Sequence, residues 1–263
     1  MSRDGLGGGL PQMSDAEVMR LLLSQDEERS QNEPEVAASI GEQMLHMDIT
    51  LLPKSVRSRI RDVCSRLSPT NVVLLGGGIG HLSAWLFDLW RAEGEKGETE
   101  IVARPDTFTI IEPGGRFGVI IDRLIRRYQA ESWSKVISRN WQEVIAESLP
   151  SLASNIALPE TALDSLLPMP VDLIIIDLQE EERVAAAKNA FQLIAPGGLI
   201  IVLEPTVPTG DVGVIGDEGP TPAQSKVRSF NEWIELVKMA NASHSVGFAE
   251  LSGGTLVGLL KRK

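Results

Sequence analysis

Apolar residues in this chain fall into short runs, separated by stretches in which they recur at helical spacing. The clearest runs are Val72–Leu75 and Leu199–Leu203, with Phe108–Ile111 and Val171–Ile176 each interrupted only once, at Thr109 and Asp172. Such runs, without polar alternation, are the pattern of strands buried on both faces of a parallel sheet. Between them, Ala84, Trp85, Leu86 and Leu89, then Phe117, Ile120, Ile121, Leu124 and Tyr128, then Val184, Ala187, Phe191 and Ile194 predict helices. Lys135–Ser138 reads as a further strand, and Asn140-Trp141-Gln142 opens another helix. Thr221 and Gln224 form a capping box for a helix through Val227, Phe230, Ile234 and Val237. Ser243–Leu251 and Thr255–Leu260, joined by Ser252-Gly253-Gly254, read as a hairpin. The predicted fold class is therefore α/β: a doubly wound, mostly parallel seven-stranded sheet that ends in an antiparallel hairpin.

The first part of the chain follows a different pattern. Residues 1–13 are glycine-rich and expected to be a disordered tail. Residues 14–54 are expected to form a helical cap, with a capping box at Ser14 and Glu17 and a second helix over Val36–Met47. The α/β domain then spans 55–263. Its leading helix, Ser55–Leu67, sets Val56, Ile60, Val63 and Leu67 on one face. Arg57, Arg59, Arg61 and Arg66 lie elsewhere; a solvated helix face is the expectation, an anion site the alternative. Ala92–Glu100 is a polar insert, and Pro150–Pro170, with four prolines, is expected to be a long surface excursion. Pro205–Pro220 is glycine- and proline-rich and is expected to form, with the N-terminal helices, a mobile lid over the substrate side.

Charge and cysteine usage narrow the partners. A net charge of −11 disfavours nucleic acid. A lone cysteine, Cys64, excludes an intramolecular disulfide and a cysteine-based zinc cluster. The N-terminal residues carry no apolar signal core, and no segment approaches a membrane span. The expectation is a cytoplasmic protein without a membrane partner.

Chemistry concentrates at Asn71–Ser83, NVVLLGGGIGHLS, where a strand, a glycine turn and a helix follow one another. Glycines let a ligand approach the backbone, and the free N–H groups at the start of the next helix face it. Gly76, Gly77, Gly78 and Gly80 make that turn, but His81 stands where a dinucleotide fingerprint wants a third glycine. By themselves the glycines also fit a tight structural turn. Three carboxylates, Glu112, Asp177 and Glu204, follow the second, fourth and fifth strands, at the edge where open parallel sheets bind ligands. Glu112 is placed to accept hydrogen bonds from ribose hydroxyls. His81 and His46 are candidate bases, each with a structural role as the alternative.

The glycine turn, IIEPGG after strand two, VDLIIID at strand four, LIAPGGLIIVLEP at strand five and the closing hairpin resemble class I S-adenosylmethionine-dependent methyltransferases. The chain is more narrowly similar to the catechol/caffeoyl-CoA-type O-methyltransferases, over roughly Leu52 to Lys263. That resemblance implies a Rossmann-like methyltransferase fold, S-adenosylmethionine as cofactor and a small-molecule methyl acceptor. It implies a methionine site at Gly76, Gly77, Gly78 and Gly80, a ribose site at Glu112 beside Pro113, and an adenine site at Asn140 and Trp141. It also sets Asp177 at the cofactor and the reacting groups, where those enzymes hold a divalent metal. The departures are specific. Leu74 replaces the acid usual two residues before the first glycine, Glu204-Pro205 replaces an Asp-Asn pair of metal ligands, and Glu180 replaces a lysine base.

The expectation is methyl transfer to an oxygen, less readily a nitrogen, of a small molecule, with Asp177 and His81 as catalytic candidates and no metal ligands assigned. One rival is a catalytically degenerate methyltransferase fold acting as a cofactor-binding or interaction module. A nicotinamide-dependent oxidoreductase is the second. Homodimerisation stays open.

Overall fold

The computed structural model describes residues 13–90, 102–157, 165–209 and 221–262. The predicted N-terminal tail, apart from its last residue, the 92–100 insert, residues 158–164 of the expected excursion and residues 210–220 of the expected lid lie outside the described residues.

The runs of apolar residues form the strands β1 (Asn71–Leu75), β2 (Thr107–Ile111), β3 (Ser134–Ile137), β4 (Val171–Ile176) and β5 (Ile194–Leu203). The hairpin supplies β6 (His244–Leu251) and β7 (Gly254–Lys261). Together they make one seven-stranded sheet in the order β3-β2-β1-β4-β5-β7-β6. Neighbours from β3 through β5 pair in parallel, while β7 is antiparallel to both β5 and β6. The order reverses between β1 and β4, and the carboxyl ends of the strands open a crevice there.

Strand pleating sorts the core into two layers. Val72 and Leu74 face one layer with Phe108, Ile110, Leu173 and Ile175; Val73 and Leu75 face the other with Ile111, Ile174 and Ile176. The first layer is covered by α1 (Asp15–Leu22), α2 (Glu35–His46), α3 (Lys54–Ser65), α4 (His81–Leu89) and α5 (Gly115–Arg127). The second is covered by α6 (Trp141–Ala157), α7 (Glu180–Leu193) and α8 (Pro222–Ala240). Both predicted capping boxes are present, Ser14 with Glu17 on α1 and Thr221 with Gln224 on α8.

Two expectations need correction. Pro150 does not begin an irregular excursion, because α6 continues through it to Ala157. One proline removes a single N–H from a long helix, and the flanking turns, with Val144, Ile145 and Ser148 buried, hold the helix on the sheet. Arg57, Arg59 and Arg61 of α3 are likewise not a solvated face, whereas Arg66, just past its end, is exposed. Arg57 and Arg61 are each 6% exposed. Arg59 donates to the Leu23 carbonyl and Arg61 to that of Ser30, while Arg66 donates to Leu22 and Ser24. The arginine row thus ties α3 to the chain that follows α1, satisfying carbonyls left over at a helix end.

The hairpin turn closes against the start of α3. A Cβ at Gly253 would lie 2.2 Å from the Pro53 Cβ. Both residues line the crevice, so this contact fixes one of its walls. Gly253→Ala is expected to cost about 1–3 kcal/mol through overpacking. Urea denaturation would read this as a lower midpoint at unchanged slope.

Candidate active site

The crevice holds a cavity of about 720 Å³. Its floor is Gly76–Gly78, its far side is Asp177–Glu180 with Arg183, and Leu203–Val207 follow from β5. Met44, Ile49–Pro53 and Arg57 from the N-terminal helices close it, together with Gly253–Thr255 of the hairpin.

The glycine turn has a packed side and an open side. Gly76 has φ +87°, and a Cβ there would sit 2.0 Å from the Asp177 carbonyl oxygen. Gly78 has φ +52°, and its missing Cβ would meet nothing within 4 Å. The turn is therefore pressed onto β4 at Gly76 and left clear for a ligand at Gly78. Glu112, 7% exposed, accepts from the Gly78 N–H at 2.7 Å and from the Gly114 N–H at 2.9 Å. Each carboxylate oxygen keeps a second lone pair for a further donor. Pro113 and Asn140 are exposed on the same edge. Trp141 is elsewhere: it is 3% exposed in the second core layer, with its indole N–H donating to Glu182 at 3.1 Å.

Asp177 follows β4, and its own N–H is held by the Leu75 carbonyl at 2.8 Å. Burial pushes its carboxyl up to about 7, against the opposing pull of Arg183 and Arg57, and Glu112 adds to the rise. The other two acids here are occupied. Glu180 accepts from the Thr206 N–H at 3.0 Å and hydroxyl at 3.1 Å, so it holds down the first residues of the expected lid. Glu204 accepts from the indole of Trp233 at 2.9 Å. Arg183 is spent on the carbonyls of Leu178 and Leu203.

His81, the first residue of α4, lines the cavity at 5% exposure. Its Nε2 lies 2.8 Å from Glu33, and the Arg57 guanidinium lies against its ring. Trp85 also donates to Glu33, at 3.3 Å, and Arg57 forms an ion pair with the same carboxylate. Burial and the Arg57 charge push the His81 imidazole below its ordinary value. Burial would raise the Glu33 carboxyl, but the His81 hydrogen bond and Arg57 outweigh it and hold it low. His81 is thus biased toward its neutral form and engaged by its neighbours. His46, the last residue of α2, is exposed and is not among the residues that line the cavity.

The donor set does not suit a divalent cation. Magnesium wants near-octahedral oxygen coordination, yet Glu204 and Glu180 are engaged and Pro205 has no donor. Among the described residues no group of three His, Cys, Asp or Glu side chains could hold a metal.

No protein-family model matches the sequence, and none of the curated proteins matches it either. Solved structures do. The O-methyltransferase TomG from Streptomyces achromogenes, in complex with SAM, superposes with a TM-score of 0.55 at 15% identity, over 88% of this chain and 92% of that one. An O-methyltransferase from Bacillus cereus in complex with SAH gives 0.56 at 14% identity, covering 94% and 98%. A Staphylococcus aureus protein assigned as a caffeoyl-CoA O-methyltransferase gives 0.56 at 13%, covering 86% and 93%. The fold is that of the class I methyltransferases. Gly76–Gly78, Glu112 and Asp177 follow β1, β2 and β4 at the carboxyl edge of the sheet, where the strand order reverses.

Sequence reasoning named the glycine turn, the strand-end acids and, as an alternative, an anion site at the α3 arginines, but missed two contributors and the burial of Arg57. Glu33 sits in an acidic stretch that looked solvated, Arg57 in a row read as a helix face, and Arg183 carried no motif. The usable signal at Arg57 was its place next to Val56 and one turn before Ile60, at the edge of the apolar face.

Proposed function

We propose that this protein transfers a methyl group from S-adenosylmethionine to a hydroxyl oxygen of a largely apolar small molecule, without a divalent metal. The observation that carries this reading is the open glycine turn at Gly78, flanked by the Glu112 carboxylate on one side and by Asp177 on the other. When bound, the cofactor supplies an electrophilic methyl group on a sulfonium. Gly76–Gly78 and Gly80 shape the seat of its methionine portion. Glu112 accepts from the ribose hydroxyls, with Pro113 and Asn140 along the adenine edge. Trp141 supports that edge from below by anchoring the first turn of α6.

Leucines and isoleucines of the cavity wall exclude water and align the acceptor, and alignment supplies most of the rate in a displacement at carbon. Asp177 takes the proton that the hydroxyl loses. A carboxyl near 7 is matched to that work at neutral pH. His81 orients through Glu33 and Arg57 and takes no proton in this scheme. Protein of this fold with cofactor affinity but no transfer is the second reading, and Leu74, buried where an acid is usual, favours it.

Transfer of a labelled methyl group to a set of phenols and alcohols, with and without a chelator, tests the proposal. Labelled product unaffected by the chelator is expected. Cofactor binding with no product would favour the second reading, and activity restored only by Mg²⁺ would overturn the metal-free step. Glu112→Ala is expected to weaken cofactor binding by about 1–3 kcal/mol, since the ribose donors lose a charged acceptor. Calorimetry reads this directly; an unchanged affinity would remove Glu112 from the site.

A further inference from the structure

Among the described residues, several polar groups of the cavity wall are paired within the protein, and one buried donor that is not paired points to a ligand. Glu180, Glu204 and Arg183 each hold partners, as described above, and Asp177 faces Arg183 and Arg57 through charge. Arg57 is only partly paired. It is 6% exposed and lines the cavity beside Gly76–Gly78 and His81. Among the described residues its ion pair with Glu33 and its contact with the His81 ring both run through Nη1. Its Nε is buried with no partner. The guanidinium is also stacked near Trp85, 5.6 Å from the ring centroid, which fixes its plane. What remains is the Nε–Nη2 edge of a positioned fork, the edge that matches a carboxylate with two parallel hydrogen bonds. A buried charged donor left unpaired is costly, so such an edge at a cavity wall is a site for an anion.

We infer that Arg57, delivered by the helix that precedes the glycine turn, binds the α-carboxylate of the cofactor's amino-acid end. This rests on the methyltransferase reading above. The anion belongs to the cofactor rather than to the acceptor because of where Arg57 stands. It contacts His81, the first residue of α4, whose free N–H groups at the end of the glycine turn also favour negative charge. Glu33 acts as the positioning residue: it engages Nη1 and turns the other edge away from itself. The arrangement makes cofactor affinity depend on the N-terminal helices as well as on the glycine turn.

The test compares ligands that differ only at that end. Calorimetry would measure S-adenosylhomocysteine, its decarboxylated analogue and 5′-methylthioadenosine against wild type, Arg57→Gln and Arg57→Lys. Wild type is expected to bind S-adenosylhomocysteine about tenfold to a hundredfold more tightly than the decarboxylated analogue. Arg57→Gln should erase that gap and leave 5′-methylthioadenosine affinity unchanged; Arg57→Lys should restore part of it. Should Arg57→Gln fail to fold, Arg57→Lys decides: the gap between the two homocysteine ligands should be smaller than in wild type, and an unchanged gap overturns the assignment. Equal wild-type affinity for the two homocysteine ligands overturns the assignment, as does a parallel loss of all three ligands in a folded Arg57→Gln, which marks a structural role. Wild type ignoring every adenosine ligand would overturn the methyltransferase reading itself, and this inference with it.

Discussion

Gly76→Ala is expected to abolish S-adenosylhomocysteine binding and to lower the melting temperature by roughly 6–12 °C. Gly76 is the first residue after β1, its N–H held by the Ile111 carbonyl at 3.0 Å. A Cβ there falls 2.0 Å from the Asp177 carbonyl oxygen and 2.7 Å from its carbon. Those are backbone atoms of the neighbouring strand's end, and no rotamer change moves them. The φ of +87° adds a left-handed penalty for any residue with a Cβ. Together these amount to about 3 kcal/mol or more. Relief requires β1 and β4 to part at the floor of the cavity, which displaces the turn. Gly78→Ala separates the two consequences. Its Cβ meets no protein atom within 4 Å, so stability should fall by only about 1–2 kcal/mol while ligand binding is blocked. Calorimetry and thermal melts of both variants check this. Equal loss of stability in the two would contradict the distinction between the packed and open sides of the turn.

The second large effect concerns Asp177→Asn, which is expected to reduce kcat by about 10²–10⁴ while leaving cofactor affinity nearly intact. Its stability should also change with pH in a defined sense. The Asp177 carboxyl is raised from an ordinary 3.8 to about 7 in the fold, chiefly by burial. The native state therefore holds a proton that the unfolded chain has released, and wild-type stability falls as pH rises from about 4 to about 7. Asparagine does not titrate and avoids that loss. From about pH 5.5 to pH 8 the variant should gain on wild type by about 2 kcal/mol. Urea unfolding at the two pH values measures this in the absence of ligand. Parallel pH dependence in the two proteins would contradict the raised carboxyl.

The layered sheet was readable from the sequence because strands buried on both faces leave unbroken apolar runs. Val72–Leu75 and Val171–Ile176 have no polar interruption apart from Asp172, whose carboxylate accepts from the Thr70 and Asn71 N–H groups at the strand's entry. The glycine turn and Glu112 were readable for a related reason: positive φ and a strand-end acid are written in single residues. What stayed hidden depends on contacts distant in sequence. The Arg57 environment needs Glu33, His81 and Trp85 brought together from three segments. Helix periodicity alone cannot distinguish a buried, paired guanidinium from a solvated one. Trp141 shows the same dependence: its place in the sequence suggests the adenine edge, and its hydrogen bond to Glu182, 41 residues away, is visible only in the fold. Pro150 misled because one missing N–H is a small deficit against a long helix anchored on the sheet.

Titration of the purified protein with S-adenosylhomocysteine by calorimetry tests cofactor binding at the β1/β4 crevice most directly. The expected result is one site per chain with micromolar affinity, weakened in Glu112→Ala and abolished in Gly76→Ala. No heat of binding at millimolar ligand, from protein whose melting is cooperative, would contradict the assignment of this crevice to S-adenosylmethionine.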